Sequence, residues 1–237
     1  MSNADSVAVV FQVLSGGTET ELSDAVNELE EAGLKTSFHA YDPGPQAALE
    51  WLSVPALLLW VGDKFFGSMV SEEGKTLSKK VKDALAKIFD RTLKPAALVK
   101  RVRTRQGQVV EDSYFSGNLS FGYASPEGWQ VKLMFPLDIT AEQYHASCVA
   151  FAQLITDHAR APKTSPLEAE IELMADERAS ILPIEPGSAL LRQGIRLLVF
   201  WRADKGMFYV PDPAQTAIRL RLVSRILGGA PDHAQGE

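Results

Sequence analysis

The sequence predicts a mixed α/β fold in two units: a small, mainly parallel β-α-β-α-β layer, then an α+β unit with hairpins and two helices. Three observations predict it. Residues 1–90 alternate strand-length apolar runs with stretches of helical period, the pattern of strands linked by helices. Later residues carry pairs of strand-like runs joined by short turn sequences, the pattern of hairpins. Between them, residues 91–108 are rich in Lys and Arg and poor in large apolar side chains. A chain of 237 residues is also long for one core and comfortable for two.

Each element has its own warrant. Val7 to Leu14 reads as a buried strand, and Ser15-Gly16-Gly17 turns the chain. Thr18 with Glu21 three residues on is a capping box for a helix to about Ala32. Leu22, Ala25, Val26, Leu29 and Ala32 fall on one face of that helix, and Gly33 suits its left-handed end. A second strand follows over Leu34 to Tyr41. The turn Asp42-Pro43-Gly44-Pro45 and a short helix from Gln46 to Leu52 lead into Pro55 to Val61, an almost wholly apolar strand. A helix over Lys64 to Phe89, weakened at Gly67 and Gly74, closes the first unit.

The domain boundary is placed in the basic junction 91–108, with the second unit at 109–229 and a disordered tail at 230–237. Strands at Ser113 to Tyr123 and Trp129 to Phe135 flank the turn Ser125-Pro126-Glu127-Gly128. Thr140 and Gln143 form the capping box of a helix to about Arg160, with Tyr144, Cys148, Phe151 and Ile155 on one face. The alternation in Leu167 to Leu173 predicts a strand, followed by a turn-rich stretch through Pro183 and Pro186. Ile195 to Trp201 and Met207 to Val210 form a hairpin around Ala203-Asp204-Lys205-Gly206. A last helix starts at Asp212-Pro213 and ends near Gly228.

Composition narrows the function classes. Net charge is −6, concentrated in residues 1–90, where fourteen Asp/Glu face seven Lys/Arg. An acidic surface there argues against nucleic-acid binding, because phosphate contact needs a positive face. No apolar run approaches the roughly 20 residues of a membrane-spanning helix, and the first residues lack the basic and apolar regions of a signal peptide. The single cysteine, Cys148, cannot form an internal disulfide, so a reducing, cytoplasmic setting is expected.

Several residue groups could carry chemistry. The turn Ser15-Gly16-Gly17-Thr18 lets backbone approach a ligand at a helix start, where a phosphate or carboxylate could dock. Glu19 and Glu21 would oppose that anion, and an ordinary strand-to-helix turn uses the same residues. His39 and Asp42 stand near the end of the second strand, where open α/β sheets hold ligands and the two could form an acid–base pair, although an edge histidine beside a turn-forming Asp-Pro-Gly explains both without chemistry. Glu72 follows the third strand, a position where some nucleotide-processing folds keep an acid, although an exposed helix face accounts for it. His145 and Cys148 sit three apart on one helix, a spacing that could lower the thiol pKa, yet Cys148 lies in the apolar stripe. The residues indicate no metal ligand set and identify no cofactor.

Lys100, Arg101, Arg103 and Arg105 offer a basic surface for an acidic partner, or simply a charge-protected edge strand. The resulting expectation is a protein that acts by binding another protein, as an adaptor, inhibitor or accessory subunit. The alternative is a small enzyme or sensor holding a nucleotide-like ligand at Ser15 to Thr18. Nucleic-acid binding through the junction and Arg219, Arg221 and Arg225 ranks third.

Overall fold

A computed structural model describes residues 9–14, 22–41, 57–61, 79–93, 100–103, 109–112, 114–212 and 224–228. The first apolar runs form β1 (Val9–Leu14), β2 (Thr36–Tyr41) and β3 (Leu57–Val61), with α1 (Ser23–Glu31) between β1 and β2. Next come α2 (Lys79–Thr92) and a basic-then-acidic pair, β4 (Lys100–Arg103) and β5 (Val109–Asp112). The later residues form β6 (Phe115–Ala124), β7 (Gln130–Pro136), α3 (Ala141–Arg160), α4 (Pro166–Ala179) and the single turn α5 (Ala189–Arg192). The last strands are β8 (Arg196–Arg202), β9 (Met207–Pro211) and β10 (Ser224–Ile226).

The mixed α/β class read from the sequence is the class of the structure. Its main sheet has the order β10-β9-β8-β7-β6-β3-β1-β2, with β4 and β5 as a separate two-stranded ribbon. The expected parallel β-α-β step is present: β1 pairs parallel with β2 from Val9↔Thr36 to Leu14↔Tyr41, and Phe11 stacks on Phe38 with centroids 4.7 Å apart. Between those strands, Gly33 at φ +82° takes the left-handed conformation that ends α1. The third strand runs antiparallel to β1 and finds its parallel neighbour in β6 instead. Strand polarity depends on how the connecting chain reverses, which an apolar run does not encode. Through β3–β6 one sheet crosses from residues 1–90 into residues 109–229.

The turn at Ser125–Gly128 closes the β6–β7 hairpin as the sequence implies, with Gly128 N–H donating to the Ser125 carbonyl at 3.0 Å. The β8–β9 hairpin forms around residues 203–206. Likewise α3 starts with the expected capping box, Thr140 and Gln143 exchanging bonds of 3.2 and 3.0 Å. Two readings are corrected. Leu167 to Leu173 lies in the helix α4, because Ser165 caps it through the Leu167 N–H and Pro166 suits its first position. The buried residues Leu167, Glu170, Ile171 and Ala175 follow helical spacing, which coincides over a few residues with alternation. At the C-terminal end of the predicted last helix, Ser224–Ile226 is a strand on β9; residues 213–223 lie outside the described residues. So do the tail 230–237 and the predicted short helix 46–52.

One large core joins the elements. Val9, Phe11, Leu59 and Val61 from β1 and β3 share it with Leu119, Phe121, Val131, Leu133 and Phe135 from β6 and β7. Onto this face pack Ala25 and Leu29 of α1, Val81, Ala84, Leu85 and Ile88 of α2, Tyr144, Cys148 and Phe151 of α3, and Leu167 and Ile171 of α4. Met134 and Phe200, which alternate with Leu133, Phe135 and Val199 of the main core, make a smaller cluster on the opposite face, joined by Phe115 across the register shift between Phe115 and Ser120 in β6. Buried side chains of this size each contribute about 1.5–3 kcal/mol, so this continuous core dominates the fold's stability.

Candidate functional site

Leu14 and Tyr41 are register partners, so β1 and β2 end at the same edge of the sheet. That edge is where the sequence places the turn ligand site, but Ser15, Gly16, Gly17, Thr18, Asp42 and Glu72 all lie outside the described residues. His39 is described: it is exposed on β2, and its Nε2 is 3.5 Å from the Ser37 hydroxyl. β3 ends at Val61 beside Val9, the opposite end of β1 from Leu14.

The cysteine–histidine pair is not brought together as a nucleophile and base. Cys148 is 2% exposed in the core, and burial pushes both its thiol and the neighbouring Tyr144 hydroxyl well up. The His145 Nδ1 instead donates to the Ala141 carbonyl at 2.8 Å. Iodoacetamide is therefore expected to leave Cys148 unmodified in the native protein and to modify it readily in denaturant. Equal rates in the two conditions would show an accessible thiol and reopen the nucleophile reading.

Lys100, Arg101 and Arg103 form β4, in register with Asp112, Glu111 and Val109 of β5. Arg105 lies outside the described residues. β4 is a strand, which both a basic partner surface and a charge-protected edge allow.

The described residues with the densest charge chemistry surround α4, which sequence reasoning treated as a strand. Three arginines hold it. Arg225 of β10 makes a bidentate ion pair with Glu170, a carboxylate only 2% exposed. Arg192 of α5 reaches Glu168, Glu172 at 3.2 Å and Glu127 of the β6–β7 turn at 2.8 Å. Arg178 donates to the carbonyls of Leu191, Gln193 and Gly194 at 3.2, 2.7 and 3.1 Å. Beside this cluster His158 meets Trp129 edge to face, centroids 5.2 Å apart. Burial holds the His158 imidazole below the usual histidine range, against Glu168 and Glu127, which favour its charged form. At the far end of β10, a side chain on Gly228 would come within 2.8–2.9 Å of Pro166, so glycine lets the chain close on the first turn of α4. The sequence signal for all this was Ser165-Pro166 followed by Glu168, Glu170 and Glu172, legible only with the helical period.

The consequence of the Arg178 bonds is a closed loop. They tie the end of α4 to residues 191–194 and so clasp the ends of residues 180–190 together, the form of a compact surface loop. On it Ile181 is 81% exposed, Leu190 59% and Leu182 44%. Among the described residues the other exposed large apolar side chains are Met207 on β9 and Ile226 on β10; the clasped loop carries three.

The fold is a mixed sheet with helices packed on one core face, and its best-defined surface feature is an apolar loop clasped by arginine. Comparison with protein-family models, with curated proteins and with solved structures found no match. Among the described residues no helix is long and apolar enough to cross a membrane.

Proposed function

We propose that the protein acts by binding another macromolecule, as an adaptor, inhibitor or accessory subunit. The observation that supports this reading is the loop 180–190, which holds Ile181, Leu182 and Leu190 in solvent while Arg178 fixes its ends. A pre-ordered loop gives up less conformational freedom on association than a disordered one, so its apolar side chains contribute more to affinity. The basic sequence of strand β4, with Lys100, Arg101 and Arg103, is consistent with the same reading. Its single cysteine fits a reducing, cytoplasmic setting.

The test is affinity capture from native extract with the wild type and with Ile181→Asp/Leu190→Asp. The double variant should lose the captured protein while keeping the wild-type melting temperature, because substitutions at exposed positions change stability by about ±0.5 kcal/mol. Identical captures from both proteins would overturn the reading for this loop. A nucleotide that raises the melting temperature, with no protein captured, would move the assignment to ligand binding at Ser15 to Thr18.

A further inference from the structure

We propose that the end of α4 and the loop that follows it form a docking surface for a basic amphipathic segment of a partner protein, with large apolar side chains flanked by Lys or Arg. This rests on the macromolecule-binding reading above and names the chemistry of the partner. Its first support is the charge at the end of α4. Asp176 and Glu177 occupy the last turn, at the negative end of the helix dipole, where a carboxylate is unfavourable and a cation is favoured.

The cations of the segment do not offset these acids. Arg178 is spent on three carbonyls and Arg192 on Glu127, Glu168 and Glu172. Asp176, Glu177 and Glu185 are exposed and form no ion pair among the described residues, although Arg225 feels the field of Glu177.

Geometry joins the acids to the apolar side chains. The Leu182 N–H donates to the Arg178 carbonyl at 2.8 Å, and Ser180 keeps helical dihedrals. The helical path therefore continues past Ala179 and sets Ile181 one turn beyond Glu177, the spacing at which side chains are neighbours. An exposed Ile beside an unpaired Glu fits a partner that brings an apolar anchor and a cation together. The same acids oppose nucleic acid and anionic lipid.

Two fluorescent peptides of roughly four helical turns test this, one with Leu at the i, i+3, i+4, i+7 positions of one helix face and Lys on the other, the second with Glu in place of Lys. In fluorescence anisotropy the Lys/Leu peptide should bind the wild type. It should weaken by at least about tenfold with Ile181→Asp/Leu190→Asp, and again with Asp176→Lys/Glu177→Lys/Glu185→Lys. Binding should fall between about 50 and about 300 mM salt, and the charge-reversed variant should gain affinity for the Glu/Leu peptide. A melting curve accompanies each variant, and Ile181→Ser/Leu190→Ser replaces the first if it does not fold.

Binding of the Lys/Leu peptide that neither variant changes would mean attraction to general acidity and would overturn the proposal, as would no binding at all. So would binding to phosphatidylcholine vesicles that the apolar variant abolishes, which would assign the loop to a lipid surface. If the native capture is lost with Ile181→Asp/Leu190→Asp while the Lys/Leu peptide does not bind, the partner reading stands and the basic segment is wrong. If the capture is also unchanged, both fail.

Discussion

Replacing Arg225 with Met is expected to destabilise the protein by about 3–5 kcal/mol, read as a lower urea midpoint with an unchanged slope. Glu170 is 2% exposed on α4, and Arg225 supplies both bonds of its bidentate ion pair. Without the guanidinium, the carboxylate stays in the core with its main partner gone, and that desolvation is what the variant loses. The double variant Glu170→Leu/Arg225→Met removes both charges and should recover most of the loss, because apolar replacement of a buried pair is often neutral or stabilising. The contrast identifies the buried charge, rather than lost packing, as the cause. An Arg225→Met variant that loses less than about 1 kcal/mol would show that Glu170 finds water or another donor, and the description of α4 as held from β10 would be wrong.

How much of this was legible in the sequence depended on whether the signal was local. The α3 capping box, the turn at residues 125–128, the hairpin around residues 203–206 and the buried Cys148 all follow from residues a few positions apart. Each appears in the structure where the sequence places it. The polarity of β3 is not legible, since Leu57–Val61 is equally apolar whichever way it runs and its neighbours are 44 or more residues away in β1 and 62 in β6. α4 was misread because Leu167, Ile171 and Leu173 satisfy a period of two while Leu167, Glu170, Ile171 and Ala175 satisfy 3.6. Only the cap at Ser165 and Pro166 decides between them. The candidate loop is hidden from the sequence for the same reason. Its exposed side chains matter because Arg178 closes it, and Arg178 reaches residues 191–194 from the last turn of the helix α4. The turn at Ser15 to Thr18 stands as the sequence left it, its residues lying outside the described ones.

Cutting the chain within residues 104–108, between β4 and β5, should leave two fragments that stay together and that fail to fold once separated. The basic junction would be a natural divide if each side carried its own core. The structure instead pairs β3 with β6 over five register positions, from Leu57↔Leu119 to Val61↔Tyr123. Side chains cross the same line: Phe89 of α2 meets Tyr144 of α3 with centroids 5.2 Å apart, and Val81, Leu85 and Ile88 share one core with Phe121 and Phe135. Separation would expose at least half a dozen of these residues at about 1.5–3 kcal/mol each, a loss comparable with the roughly 5–15 kcal/mol that holds an ordinary domain folded. It would also open the long edge of β6, a template for aggregation. The experiment places a protease site in residues 104–108, cleaves the native protein and follows the products by size exclusion and thermal melting. Co-elution after cleavage is expected, with no cooperative transition in either fragment after separation in urea and refolding alone, and recovery of the transition on mixing. A cooperative melt from either isolated fragment would show that its side of the junction is a domain in its own right, held to the other by an interface rather than by a shared core.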